Sequence, residues 1–243
     1  MNFIFEFPIH TQTSDTDKLV LLEIRNFLHN LGEYNFLEIG SFLGGSLTPF
    51  LKDEKCIRIL SVDDRGRCQP DERGVNYDYS GITNETMIDE LHRVGLNTEK
   101  LQTFDGSIDE FTLGSEKYDF IFIDGEHTDF ACFRDFVHSE KLLKTNSIVA
   151  FHDAPLIYKS VVTIVEMLKA RNSIFNFIKV KNSNMFLLTF NEFSKILENF
   201  SSEEDLSLCY KEYEDQLLLN LAKNKFQFET VIKIKETPTE KGY

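Results

Sequence analysis

The sequence predicts an α/β fold built on a doubly wound, mostly parallel sheet. Apolar strand patterns alternate with helical patterns along the chain, and a glycine-containing turn follows the early strand 35–39. Two later strands, 118–123 and 147–151, stop abruptly at polar residues. In an open parallel sheet the ligand lies beyond the carboxyl ends of the strands. We therefore expect the polar residues that follow these two strands to converge at one site: Asp124, His127, His152 and Asp153.

Composition favours a globular protein that acts on a small molecule. Of the 243 residues, 42% are hydrophobic and 23 are phenylalanine, which is enough apolar material to build a core. The formal net charge of -14 would repel a nucleic-acid backbone or an anionic membrane over much of the surface. We therefore expect neither nucleic acid nor membrane as the main partner.

Cysteine usage and the N-terminal sequence predict a cytoplasmic, soluble protein. The four cysteines are widely spaced and form neither a CxxC pair nor a zinc-type array, which fits a reducing interior. The N-terminus lacks a basic segment followed by a long apolar one, and no uncharged apolar run approaches the ~20 residues of a membrane helix.

Three segments are expected along the chain. In residues 1–16, the alternation of Phe3, Phe5 and Phe7 predicts a short strand followed by a linker. Residues 17–190 form the main domain. In residues 191–243 a charged helix precedes an alternating strand near 226–234, and a half-buried strand of this kind needs a partner. We expect it to pair with residues 3–7, within one chain or across a homodimer.

Helix start signals divide the main domain. Ser14 or Asp15 can cap a first helix that stops at Gly32, a second starts near Thr83, and Thr128 can cap a third. Two strands, 175–180 and 185–190, flank a short polar turn and predict a terminal β-hairpin.

The turn after the first core strand has the spacing of a cofactor cradle. Its residues Glu38, Gly40 and Gly44 follow E-x-G-x-x-x-G, with Ser41 between the glycines. Glycine allows positive φ and close approach of a ligand to backbone N–H groups. The spacing differs from the G-x-G-x-x-G of dinucleotide enzymes, which disfavours NAD. Tight packing of strand against helix explains the glycines equally well.

Two further strand ends carry small polar residues. Asp63 and Asp64 follow the strand 57–62, at the position where a ribose diol lies in a doubly wound fold. Asp105 and Ser107 follow the strand 101–104 and could approach an adenine edge. A simple turn is the alternative at both places.

With this order of elements, the chain resembles the class I S-adenosylmethionine-dependent methyltransferases, and among them the Methyltransferase 24 family, which includes metal-dependent sugar and macrolide O-methyltransferases. The residues that carry the resemblance are 36–40 with Gly44, 62–63, 120–127 and 148–154. The Asp-Gly-x-His segment together with the later His-Asp pair is its more specific part.

The resemblance implies a Rossmann-like sheet of seven strands whose last pair is an antiparallel hairpin. It also implies that Glu38, Gly40 and Gly44 hold the methionine end of the cofactor and that Asp63 holds its ribose. Residues 105–107 would approach the adenine. Ser41, Asp64 and Asp124 are adjacent candidates for cofactor contacts.

A magnesium site and a catalytic base are further implications of the resemblance. In metal-dependent relatives, acids equivalent to Asp124 and Asp153 bind magnesium, and a histidine equivalent to His127 is the proposed base. Those relatives have a carboxylate where this chain has His152, so a hard oxygen ligand preferred by magnesium is lost. From the residues alone, His127 packed at a helix start, Asp153 capping the next helix and His152 buried in the core are the alternatives.

The predicted function is S-adenosylmethionine-dependent O-methylation of a small-molecule hydroxyl, with magnesium as a candidate second cofactor. The alternative is a non-catalytic cofactor-binding or assembly protein with the same fold. A nicotinamide enzyme is a weaker alternative.

Overall fold

The computed structural model describes residues 3–65, 68–112, 114–226 and 230–233, which contain ten strands and seven α-helices. The strands are β1 (Tyr34–Ile39), β2 (Cys56–Asp63), β3 (Cys68–Pro70), β4 (Val75–Asp78), β5 (Leu101–Asp105), β6 (Tyr118–Ile123), β7 (Leu143–Phe151), β8 (Phe175–Lys179), β9 (Phe186–Phe190) and β10 (Thr230–Lys233). The α-helices are α1 (Phe3–Glu6), α2 (Asp15–Leu31), α3 (Thr48–Lys52), α4 (Asn84–Arg93), α5 (Asp129–Ser139), α6 (Tyr158–Ala170) and α7 (Ser207–Phe226). Two 3₁₀ helices span Glu140–Leu142 and Asn191–Asn199.

Seven strands form the central sheet, in the order β5-β2-β1-β6-β7-β9-β8. The pairs among β5, β2, β1, β6 and β7 are parallel, whereas β9 runs antiparallel to both β7 and β8. The predicted seven-stranded, doubly wound sheet with a terminal antiparallel hairpin is therefore confirmed.

The two faces of the sheet carry separate apolar clusters because alternate residues of each strand point to opposite sides. Phe36, Phe120 and Phe122 pack with α2 and α3 on one face. Leu37 and Ile121 pack with α5 and α6 on the other. The rings of Phe36 and Phe120 stack with centroids 4.9 Å apart, across the β1–β6 pair at the centre of the sheet.

The predicted helix starts are confirmed by their capping contacts. The Ser14 hydroxyl accepts from the Asp17 backbone N–H, and the Asp17 carboxylate accepts from the Ser14 backbone N–H, which makes a capping box. Thr83 accepts from the Thr86 N–H and Thr128 from the Ala131 N–H. These local contacts fix where α2, α4 and α5 begin.

The prediction of an N-terminal strand is wrong, because Phe3–Glu6 forms a short helix. The predicted partner of the tail strand is wrong as well. β10 instead pairs in parallel with β4 of the same chain, with Ile232 opposite Tyr77. Residues 227–229 and 234–243, over which the tail strand was also predicted, lie outside the described residues. The pairing within one chain removes the reason for a homodimer through these strands.

The segment between β2 and α4 contains a small sheet of its own. β3 and β4 pair antiparallel, and β10 adds to β4 to give the order β10-β4-β3. Helix α7 contacts this small sheet through Asn220, whose side-chain amide donates to the Glu72 carbonyl. It also contacts α5, since the Tyr213 hydroxyl donates to Asp129 Oδ2 over 2.5 Å. The C-terminal extension therefore packs onto the main domain.

Across the described residues, every helix is too short or too polar to cross a lipid bilayer.

Candidate active site

The carboxyl ends of β1, β6 and β7 stand level at the centre of the sheet. Ile39 pairs with Ile123, and Ile123 pairs with Phe151. The ladder continues for one more residue, because the Asp124 N–H donates to the Ile39 carbonyl at 2.8 Å and the His152 N–H donates to the Ile123 carbonyl at 3.0 Å. The prediction that the two acid-tipped strands are neighbours is confirmed.

The four polar residues that follow these strands form one cluster. His152 Nδ1 lies 2.8 Å from Asp124 Oδ1 and 3.4 Å from Asp153 Oδ2. His127 Nε2 lies 2.9 Å from Asp153 Oδ2 and 3.9 Å from Asp124 Oδ1. Asp153 has a φ of 55°, a conformation that is unfavourable for a residue with a side chain and is often found at functional sites. Its backbone carbonyl, rather than its side chain, accepts from the first N–H groups of the next turn, so Asp153 is not a side-chain cap.

Sequence reasoning missed the fifth member of this cluster, Asp17. His152 Nε2 lies 3.2 Å from Asp17 Oδ2, and both side chains are buried. Asp17 Oδ1 accepts from the Asn184 N–H at 2.8 Å, which ties α2 to the turn between β8 and β9. The S-x-x-D spacing from Ser14 indicates a helix cap, but a local motif carries no information about a contact with residue 152.

Burial and opposite charge shift the pKa values within the cluster in opposing directions. Burial tends to lower the pKa of His152, but the Asp124 and Asp153 carboxylates outweigh it and hold the pKa well above its usual value. The pKa of His127 is also raised, because the Asp153 and Asp124 charges exceed the effect of burial. For Asp17, burial is outweighed by the hydrogen bond and charge of His152, so its pKa falls to about 2. The cluster thus stabilises positive charge between its carboxylates.

The turn after β1 is shaped by contacts within the protein. Gly40 has a φ of +89°, and a Cβ there would lie 2.0 Å from the Asp124 carbonyl oxygen. The N–H groups of Ser41 and Phe42 both donate to Asp63 Oδ2, at 2.9 and 2.7 Å. Only one oxygen of Asp63 is therefore engaged with this turn. Phe42 itself has a φ of 47°, which places a second unfavourable backbone conformation at the site.

Two cavities meet at this turn. The larger has a volume of about 390 Å³. Its lining includes Ser41 and Asp63 together with four members of the cluster: Asp124, His127, His152 and Asp153. The smaller, of about 40 Å³, is lined by Asp64 and Ser107 among others. Both are lined by Gly40, Asp63 and Gly125. A single elongated ligand could therefore extend from one cavity into the other.

Three of the predicted cofactor residues line neither cavity among the described residues: Glu38, Gly44 and Asp105. Gly44 has a φ of +80°, and a Cβ there would lie 3.1 Å from Met87 Cγ and 3.3 Å from Leu91 Cδ2 on α4, which is the packing role left open by the sequence. Glu38 is fully buried beneath the turn, and burial together with the nearby charge of Asp124 raises its pKa to about 8.

The larger cavity also has walls that the sequence did not indicate. The N-terminal segment, which was predicted to contain a linker, contributes His10, Thr11 and Gln12. The small sheet contributes Tyr77, whose ring lies edge-to-face with His127 at 6.2 Å. Helix α7 contributes Gln216. Segments from both ends of the chain therefore enclose the space in front of the cluster.

Residues 37–154 match the methyltransferase domain family Methyltransferase 24. This part of the chain is similar to that family. No curated protein matches the sequence. The matched stretch contains the end of β1 with its glycine turn, β6 and β7, and thus all of the cluster except Asp17.

Solved structures with the same fold include several methyltransferases. The O-methyltransferase NovP is 10% identical, with a TM-score of 0.56 over 72% of this chain and 79% of NovP. The O-methyltransferase TomG from Streptomyces achromogenes, involved in tomaymycin synthesis and solved with SAM, is 18% identical, with a TM-score of 0.52 over 77% and 85%. An O-methyltransferase from Bacillus cereus, solved with SAH, is 16% identical, with a TM-score of 0.51 over 78% and 87%. The chain therefore shares the fold of these methyltransferases.

Proposed function

We propose that the protein transfers the methyl group of S-adenosylmethionine to a hydroxyl group of a small molecule. One observation carries the proposal: the glycine turn and the His127–Asp153 pair line the same cavity of about 390 Å³. A methyl donor seated at the turn and a hydroxyl held beside His127 would therefore share one enclosed space. The match of residues 37–154 to a methyltransferase family and the fold shared with O-methyltransferases support the same reaction.

The cofactor would be held along the line where the two cavities meet. Gly40 and Ser41 offer a closely approachable backbone, and the second oxygen of Asp63 remains available for a ribose hydroxyl. Asp64 and Ser107 would lie beside the adenosine in the smaller cavity. Glu38 and Gly44 would act from beneath, by supporting the turn, and Asp105 stays a prediction from the family resemblance.

His127 is the proposed general base. S-adenosylmethionine supplies, when bound, a methyl group on a positively charged sulfur. As the acceptor oxygen forms its bond to the methyl carbon and the sulfur–carbon bond breaks, the hydroxyl proton must leave. The His127 ring borders the cavity, and Asp153 fixes it by accepting from Nε2 at 2.9 Å, so Nδ1 would be the nitrogen that accepts the hydroxyl proton. Asp124 and Asp153 would orient the hydroxyl.

A divalent metal at the cluster is part of the proposal, and the residues present fit one. Asp124, His152 and Asp153 can each offer one ligand atom, and these atoms lie within 4.8 Å of one another. His152 Nδ1 is buried and finds no well-aligned hydrogen bond among the described residues, although two carboxylate oxygens are close. Such a cation would lower the pKa of a bound hydroxyl and fix its orientation. Magnesium is the ion that the family resemblance implies.

Replacing His127 tests the base. His127→Ala should lower kcat by about 10²–10⁴-fold, the usual contribution of general base catalysis, while the S-adenosylmethionine affinity measured by calorimetry stays close to that of the wild type. His92→Ala, on the exposed side of α4, is the matched control. Methyl transfer is followed with phenol and sugar hydroxyl acceptors. Full turnover in His127→Ala would refute the base assignment.

Failure to bind S-adenosylmethionine would overturn the proposed function as a whole. Binding without transfer to any hydroxyl acceptor would instead support the non-catalytic alternative. Treatment with EDTA tests the metal independently of the methyl transfer. Unchanged turnover in EDTA would leave Asp124 and Asp153 with positioning roles alone. A cytoplasmic location and the absence of nucleic-acid and membrane partners stay predictions from the sequence.

A further inference from the structure

His152 is the residue by which the cluster departs from an all-oxygen site, and its ring is held on both sides. Nε2 faces Asp17 at 3.2 Å, and Nδ1 faces Asp124 and Asp153 at 2.8 and 3.4 Å. The side chain is only 5% exposed. The ring also lies edge-to-face with Phe122, with centroids 6.1 Å apart. Neither nitrogen is free to exchange places with the other without breaking these contacts.

Asp17 is anchored from three directions, so it can fix the ring of His152. Its Oδ1 accepts from the Asn184 N–H, and its Oδ2 accepts from the Ser14 N–H and the Ser14 hydroxyl. The carboxylate is fully buried. Because a carboxylate accepts but does not donate, the proton shared with His152 belongs to Nε2. Nδ1 also faces carboxylates and carries a proton when the ring is charged, and a metal ion that displaces this proton would meet the Nδ1 lone pair between Asp124 and Asp153.

This arrangement matches the way proteins orient histidine ligands of metals. A ligating histidine almost always donates its other ring N–H to a carboxylate or carbonyl, which fixes the tautomer and the ring orientation. Here the donor set is one imidazole nitrogen and two carboxylates. Imidazole suits first-row transition metals, whereas magnesium takes oxygen ligands in near-ideal octahedral geometry. The nitrogen is therefore a reason for the site to prefer a different ion.

We propose that the cluster binds a divalent transition metal in preference to magnesium, with His152 Nδ1 as a ligand and Asp17 as the positioning residue that holds its ring. This rests on the metal site of the proposed function and names its ion. The contact between Asp17 and His152 joins two parts of the chain. His152 lies inside residues 37–154, which match the methyltransferase family, whereas Asp17 precedes them.

Metal binding to the purified full chain tests the proposal without cofactor, acceptor or turnover. Titration with CoCl₂, MnCl₂ and MgCl₂ by calorimetry should show cobalt bound at least about 10-fold more tightly than magnesium, with manganese between the two. Pulsed EPR of the manganese-loaded protein should show coupling to a histidine nitrogen, and that coupling should disappear in His152→Asp. His152→Asp should also reduce the preference for cobalt over magnesium, because it restores an oxygen ligand.

Asp17→Asn tests the positioning role. It should weaken cobalt binding by about 10–100-fold, the usual effect of removing such a partner. Asp53→Asn is the matched control, because Asp53 is a buried carboxylate that contacts His29 at 2.7 Å and is not part of the cluster. Thermal melting shows whether each variant is folded. If Asp17→Asn does not fold, the nitrogen coupling of the wild type and its loss in His152→Asp decide the matter.

Equal affinity for magnesium and cobalt, or absence of nitrogen coupling in the manganese-loaded wild type, would overturn the proposal. Unchanged cobalt affinity in folded Asp17→Asn would remove the positioning role. These outcomes are distinct from failure of the methyltransferase function, which is measured by binding of S-adenosylmethionine and by methyl transfer.

Discussion

Gly40→Ala should destabilise the protein strongly, because the new Cβ would overlap the backbone of the neighbouring strand end. It would lie 2.0 Å from the Asp124 carbonyl oxygen and 2.4 Å from the carbonyl carbon. Ordinary contacts of a Cβ start at about 3.4 Å, so β1 and β6 would have to separate by more than about 1 Å at their ends. That movement stretches the hydrogen bond from the Asp124 N–H to the Ile39 carbonyl beyond its 2.8 Å length.

The expected loss of stability has two parts. A side chain at a φ of +89° costs about 1–2 kcal/mol, and loss of a buried hydrogen bond costs about 1–3 kcal/mol. The sum is about 2–5 kcal/mol. For a protein of this size 1 kcal/mol corresponds to about 2–4 °C in melting temperature, so we expect a fall of about 5–20 °C.

Gly95→Ala is the matched control. Gly95 has a φ of +79°, and no described atom lies within 4 Å of a Cβ built there. Gly95→Ala should therefore lose only the stability that a side chain at positive φ costs, about 1–2 kcal/mol. Urea and thermal unfolding of both variants measure the difference, which isolates the overlap. If the two variants lose equal stability, the overlap argument is refuted. Wild-type stability with lost S-adenosylmethionine binding would show that Gly40 serves the ligand rather than the packing of the strands.

Two further predictions concern the support beneath and around the site. The pKa of Glu38 rises from 4.5 to about 8 on folding, so the folded state binds this proton more tightly than the unfolded state. The free energy of unfolding should therefore fall by about 4 kcal/mol as the pH rises from 4.5 to 8. Glu38→Gln should flatten this slope in urea unfolding at pH 5, 6.5 and 8, and parallel curves for variant and wild type would contradict the prediction. Tyr213→Phe removes the hydrogen bond to Asp129 and should reduce the free energy that holds α7 on the main domain by about 1.5–3 kcal/mol. We expect faster limited proteolysis within Ser207–Phe226. Tyr210→Phe on the same helix is the control. Equal cleavage rates in the two tyrosine variants would show that the contact does not hold α7.

The sequence predicted the main domain well because its signals are local or follow from the parallel topology. Helix starts at Thr83 and Thr128 are set by side chains that bond N–H groups three residues away. Strand ends in a parallel sheet share one edge, so Asp124 and His152 could be placed together without knowledge of any contact between them.

Contacts between distant segments were not predictable in this way. Asp17 and His152 are 135 residues apart, and the spacing of Asp17 within its helix cap would be the same without that contact. The alternation of Phe3, Phe5 and Phe7 is typical of a strand, yet Phe3–Glu6 forms a helix. In so short a segment, tertiary contacts outweigh the local pattern. The tail strand needed a partner, but its alternating pattern did not distinguish β4 from other edges.

By itself, the sequence determined the seven strands of the central sheet, the starts of α2, α4 and α5 and the set of polar residues at the strand ends. These depend on periodicity and on hydrogen bonds within a few residues. Only the tertiary structure decided that Asp17 holds His152, that Gly40 is required by the backbone of Asp124, and that residues 10–12 and helix α7 line the cavity. The physical reason is that each of these contacts joins residues whose separation along the chain has no relation to their distance in space.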